Sequence, residues 1–199
     1  MIKMITYMDM YLQNEQKDGQ SILIVGRQYE NLSHRENKLF NMLQSIDNNR
    51  RQKNRINDAI SKFNLKPTNG LKEFQEMGIY KEGESQKLAE FILKNVKKFS
   101  KPILGDFLGD IVEFYANVLR DFTFLFNFEG ENMANAMRRF FTFFDAPGEA
   151  QKIERIAYVF ADKYIIDNPD VVDSESGGVF AFLMVMLHTN LYNPNVDAA

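Results

Sequence analysis

Residues 145–164 read DAPGEAQKIERIAYVFADKY, and the reading of this stretch decides the fold. Ala146-Pro147-Gly148 breaks any helix that precedes it. Behind the break, Ile153, Ile156, Ala157, Phe160, Ala161 and Tyr164 recur at i, i+3, i+4, i+7, i+8 and i+11. That spacing makes one apolar stripe along an amphipathic helix, not the strict alternation of a strand. Asn168-Pro169 then stops the helix.

The same signal continues outward on both sides. Asn132–Phe144 sets Met133, Ala136, Met137, Phe140, Phe141 and Phe144 at helical spacing. Downstream, Ser174 or Ser176 can cap a last helix that runs to about Leu191. Its middle, Val179–Leu187, is apolar all round, so it is expected to be buried on most sides or to lend one side to a partner. Upstream, a longer helix is predicted over Ile111–Phe124, with short ones near Gly70–Met77, Glu84–Asn95 and Pro102–Gly109 and a turn at Asn127–Gly130. Another is predicted from about Arg51 to Phe63, ending before Pro67, with Ile56, Ile60 and Phe63 on one face. Leu32, Leu39, Leu43 and Ile46 form a separate stripe, read as a helix packing on the next domain. Ser21–Gly26 (SILIVG) is a short apolar run, which fits a lone strand or a buried stretch of helix or loop. The fold class is therefore all-α, built from many short helices.

Bulk composition narrows the function classes. With 45% hydrophobic and 26% charged residues the chain is globular, not disordered. Its 18 Phe and 10 Met imply a bulky, adaptable core. A net charge of −3 gives no general attraction to nucleic acid. The basic run of Arg50, Arg51, Lys53 and Arg55 reads as a solvated helix face. There is no cysteine, which excludes disulfides, thiolate metal sites and a thiol nucleophile and fits a cytosolic protein. No apolar run approaches the roughly 20 residues needed to span a bilayer. The chain lacks the glycine-rich loops that cradle nucleotide phosphates and lacks a serine-nucleophile elbow. His34 and His188 lie on unrelated segments and read as structural. No cofactor and no metal are expected.

Several motifs, taken in order, carry a family resemblance. They are FNLKPTNGL (Phe63–Leu71), LGDFLGD (Leu104–Asp110), NFEGENMANAMRRFF (Asn127–Phe141), DAPGEAQKIER (Asp145–Arg155) and LHTNLYNPNV (Leu187–Val196). Together they resemble the Sec-seven domain, the catalytic domain of Arf-type guanine-nucleotide exchange factors. Tyr164 and Asn168-Pro169 also fall where that family has its Tyr and Asn-Pro. The resemblance covers about Arg51 to Val196. Glu154 stands where Asp is commoner, His188 replaces an Asn, Tyr192 a His, and Gly177-Gly178 a small residue followed by an aromatic. One residue is missing near Asp173–Ser176, with Glu175 standing in for an acidic residue there.

The resemblance implies a right-handed superhelical array of short helices. It divides the chain into an N-terminal, partly helical extension at 1–50 and an exchange domain at 51–199. That domain is expected to be incomplete at its C-terminus, lacking the last helices. The implied activity is promotion of GDP release from an Arf-family small GTPase, a catalysis without covalent chemistry. Glu149 is implied as the glutamic finger; Glu175, Val179, Phe182, Met186 and Asn193 are implied as GTPase-binding residues. The alternative is a catalytically inactive GTPase-binding or scaffold fragment. No nucleic-acid partner is expected. The implied place of work is the cytoplasm, with peripheral association at Golgi or endosomal membranes through other factors.

Overall fold

Prolines and capping residues set where the helices begin. The residue before Pro67, Lys66, is extended (φ −155, ψ 115), as crowding by a following proline ring requires, and Pro67 opens a helix. Pro102 likewise lies in the first turn of its helix. Asn132 caps another, its side chain accepting from the amide of Asn135 at 2.9 Å.

The computed structural model describes residues 34–170 and 174–192, with side chains placed for 37–170 and 176–187. Among the described residues all regular structure is helical. The helices are α1 (His34–Leu65), α2 (Pro67–Glu76), α3 (Ser85–Asn95), α4 (Lys101–Leu108), α5 (Glu113–Phe124), α6 (Met133–Phe140), α7 (Ala150–Asp167) and α8 (Ser174–Tyr192). The chain divides into two compact units, Met1–Gln52 and Lys53–Ala199. The expectations for Ser21–Gly26, Leu32 and the side chains of His34 and His188 lie outside the described residues.

The helix expected near Gly70–Met77 begins earlier, at Pro67, and the one expected from Ile111 begins at Glu113; two further differences are larger. Within the described residues, Leu39, Leu43 and Ile46 of the expected stripe and the helix expected over Arg51–Phe63 belong to one helix, α1. No Gly or Pro interrupts that span, and Ser45 and Ser61 turn their hydroxyls back onto the helix carbonyls of Met42 and Asn57. Arg50, Arg51, Lys53 and Arg55 are exposed on α1. The helix expected to reach Phe144 stops at Phe140. Phe141–Phe144 leave its axis, and Phe144 is fully buried off the end of the helix. Tertiary packing there overrides the local period.

Within the unit Lys53–Ala199 the core is an aromatic mesh. Phe63 meets Phe99 and Phe107 edge-on, with centroids 5.1 and 5.2 Å away. Phe140 meets Phe144 at 5.1 Å and Phe126 at 5.3 Å in the same manner, the geometry that ring quadrupoles favour. Asn64, next to Phe63, bridges two backbone groups, donating to Lys98 O at 2.9 Å and accepting from Ser100 N at 2.8 Å.

The C-terminal end of α7 is tied to the turn before α6. Asn168 is buried and both polar atoms of its side chain are used. Its Oδ1 accepts from Gly130 N at 2.9 Å, and its Nδ2 donates to Phe128 O at 2.9 Å and Tyr164 O at 3.1 Å. Asp167 accepts from Phe128 N at 2.8 Å, and Tyr164 donates to Glu131 O at 2.8 Å. Asn168→Ala removes the side-chain acceptor of the Gly130 amide and one of two donors to the Phe128 carbonyl, which keeps the amide of Glu131. It is expected to cost about 1–3 kcal/mol, the scale of losing the hydrogen bonds of one buried polar side chain. Urea unfolding measures this, and a variant within 0.5 kcal/mol of wild type (about the noise for a neutral surface change) refutes the clamp.

Candidate functional site

Between α6 and α7 the chain makes a tip whose seat is α4. Gly105 of α4 has no room for a side chain: a Cβ there would overlap the carbonyl oxygen of Asp145. The amide of Asp145 donates to Lys101 O at 3.2 Å, so the entry to the tip lies directly on the helix backbone. One turn on, a Cβ at Gly109 would come within 2.7 Å of Lys152 Cβ, so the start of α7 is pressed onto the same helix. Arg155 adds a hydrogen bond from Nε to Gly109 O at 2.8 Å. The LGDFLGD segment therefore works as a ledge with two glycines, on which the DAPGE turn rests.

Pro147 is buried in the turn, while Gly148 and Glu149 are exposed. Glu149 stands at the N-cap of α7 with extended backbone (φ −91, ψ 124). Its carbonyl accepts the first helical amides, from Lys152 and Ile153, but its carboxylate makes no capping bond. The carboxylate instead lies 3.2 Å from Lys152 Nζ, with the Glu149 side chain 70% exposed. Lys152 is largely enclosed and also meets Asp106 of the ledge at 2.5 Å. Its ammonium pKa is raised, first by the hydrogen bond it donates to Asp106 and less by the one it donates to Glu149, against the lowering effect of burial. One ammonium is shared by two carboxylates, so these three groups together carry one net negative charge.

On α8, Gly177, Gly178, Ala181 and Val185 are buried, whereas Val179, Phe180, Leu183 and Leu187 are 47–61% exposed. Phe182 and Met186 are half-buried and pack against the core. Of the residues expected at a docking surface, Val179 is therefore on the open side and Phe182 and Met186 on its shoulder. Glu175 lies in the first turn of α8, but its side chain, like the whole of Asn193, lies outside the described residues. An open depression of about 470 Å³ lies elsewhere, against the C-terminal half of α7, between Arg120 and Phe124 of α5 and Ile165 and Ile166. Among the described residues no His, Asp and Glu group is placed to hold a metal, and no helix is long and apolar enough to cross a membrane.

Lys152, Asp106 and Arg155 are contributors that the sequence reading did not single out. Their only signal is membership of the LGDFLGD and QKIER segments, and their pairing is a tertiary fact.

The all-helical fold agrees with a family comparison. The model of the Sec7 domain matches residues 52–199. The chain belongs to the Sec7 domain family. It is 37% identical over 153 residues to brefeldin A-inhibited guanine nucleotide-exchange protein 2 of Arabidopsis thaliana, covering 76% of this chain and 8% of the relative. It is 33% identical over 190 residues to cytohesin-2 of Mus musculus, covering 94% of this chain and 47% of that protein. The chain thus spans less than half the length of these Sec7 relatives. Among solved structures it is similar to the Sec7 domain bound to ARF1-GDP and complexed with brefeldin A. That match has 31% identity and a TM-score of 0.66, and covers 72% of this chain and 73% of the other.

Two tests follow from the geometry of this Sec7 domain. Gly105→Ala drives a methyl into a backbone carbonyl that cannot yield without moving the tip. A loss of about 1–3 kcal/mol is expected, as for overpacked interiors. An unchanged thermal midpoint would mean that the tip is not seated on α4. The raised ammonium of Lys152 contributes stability that is fully present below the ordinary lysine value of 10.5. That stability disappears as pH climbs through the raised value. The stability gap between wild type and Lys152→Met should therefore hold from pH 7 to 10 and narrow above it. A gap that does not change up to pH 11.5 (about one unit above an ordinary lysine) contradicts the ion-pair account.

Proposed function

We propose that this Sec7 domain is a guanine-nucleotide exchange factor that speeds GDP release from an Arf-family small GTPase, with Glu149 as its glutamic finger. The observation that carries the reading is the exposed carboxylate of Glu149, which makes no capping bond and meets only Lys152, at a turn seated on the α4 ledge. The names of its relatives supply the class of reaction.

The chemistry is electrostatic. A small GTPase holds GDP through a phosphate-binding lysine, backbone amides and Mg²⁺. A carboxylate brought among those groups repels the phosphates, competes with them for the lysine and disfavours the metal. Such an intrusion is effective only from a rigid support, because a mobile acid would lose its advantage to reorganisation. Here the residual negative charge and the glycine ledge supply both requirements. Lys152 holds the carboxylate by a single exposed contact that an incoming lysine can replace.

The dock for the GTPase's mobile loops is assigned to α7 and α8. Val179, Phe182 and Met186 would meet apolar side chains, while Glu175 and Asn193 would bond to polar groups at the edge. Work at a Golgi or endosomal membrane would be peripheral, through other factors.

Glu149→Lys is expected to leave the fold intact and abolish exchange. Glu149→Gln is expected to cost about 2–4 kcal/mol of transition-state stabilisation, the size of deleting one preorganised electrostatic group. Release of fluorescent GDP from an Arf GTPase at equal folded concentration reads both. If Glu149→Gln works at the wild-type rate, the finger is elsewhere. If wild type binds the nucleotide-free GTPase without speeding release, the chain is a binding module and not an exchange factor.

A further inference from the structure

Gly178, Phe182 and Met186 are four residues apart on α8 and so occupy one face of it. Phe182 and Met186 present half-buried apolar side chains there, but the first position of the row has none. The space is not empty. A Cβ built at Gly178 would overlap Cδ1 and Cε1 of Tyr158 and lie 3.2 Å from its Cγ. The Tyr158 ring, arriving from α7, lies flush on the α8 backbone at the point where a side chain of α8 would stand. Tyr158 is nevertheless 40% exposed, so the ring continues the row outward instead of vanishing into the core.

We infer that Tyr158 is a specificity-determining residue of the docking surface, supplying from α7 the aromatic that completes the Gly178–Phe182–Met186 row. The inference rests on the exchange reading above and names a further residue of the same site. Two physical points support it. A tyrosine presents a large, stiff, amphipathic contact at low entropic cost, the character of a residue that anchors an interface. A glycine in the first two turns of a helix is costly to helix stability, and Gly178 is tolerated where the Tyr158 ring approaches the backbone. Position 178 and position 158 are thus two halves of one device: the glycine makes the space and the tyrosine fills it. The partner recognised is a protein surface with exposed apolar side chains, namely the mobile segments of the GTPase.

The experiment uses the full chain and an Arf-family GTPase stripped of nucleotide with EDTA. It reads Kd by interferometry alongside kcat and KM for exchange. Tyr158→Ala should raise Kd and KM about tenfold or more, as truncation of an interface anchor does, with kcat held within about twofold. Tyr158→Phe should behave as wild type. Gly178→Tyr alone should collide with Tyr158 and lower the thermal midpoint. The double variant Tyr158→Ala with Gly178→Tyr should recover the wild-type Kd to within about threefold, because the ring returns to the same place from the other helix. Tyr158→Gln keeps a chain over Gly178 without a ring and covers the case in which the alanine variant does not fold. A Kd unchanged in Tyr158→Ala or Tyr158→Gln overturns the inference, as does a double variant no tighter than Tyr158→Ala. Failure of Glu149→Gln to slow exchange strikes the finger alone and leaves these binding readouts intact.

Discussion

Backbone resting on backbone is the constraint from which the site follows. At Gly105 and Gly109 the absence of side chains lets α4 receive the Asp145 carbonyl and the first turn of α7 directly. Close approach of this kind is far stiffer than contact through flexible side chains, since main-chain atoms have few ways to yield. The turn Pro147-Gly148-Glu149 inherits that stiffness. The ion pair of Lys152 with Asp106 and the bond from Arg155 to Gly109 then fasten the same junction with polar groups.

Around this junction the aromatic core sets the distances between helices. Edge-to-face pairs such as Phe140–Phe144 and Phe63–Phe107 are directional, so they position as well as bury. Phe144 explains the early end of α6. To reach its place in the mesh the chain must leave the helix, and the departure delivers Asp145 to Gly105. Packing in the core and presentation of the tip are thus one event in the chain.

Much of this was legible in the sequence, for reasons that can be named. Pro67, Pro147-Gly148 and Asn168-Pro169 mark breaks because proline and glycine act on the local backbone whatever surrounds them. The α7 stripe was legible because one face of that helix is buried along its length, at Ile153, Ile156, Ala157, Phe160, Ala161 and Tyr164. The continuity of α1 was not: a sequence without breakers does not announce that two patterned stretches belong to one helix. Nor could spacing disclose that Lys152 reaches Asp106, 46 residues away in the chain, or that the ring of Tyr158 lies on Gly178. Those facts belong to the packing of separate helices.

The clamp at Asn168 has a mechanical consequence. Helix α7 is held at its start by the ledge and at its far end by Asn168, Asp167 and Tyr164, which grip residues 128–131. A helix fastened at both ends behaves as a strut. Force delivered to Glu149 by another molecule cannot be dissipated by sliding α7 along its axis. It is passed through the helix to the loop ahead of α6, so the reaction to a push at the tip is borne some 27 Å away, the length of 18 helical residues.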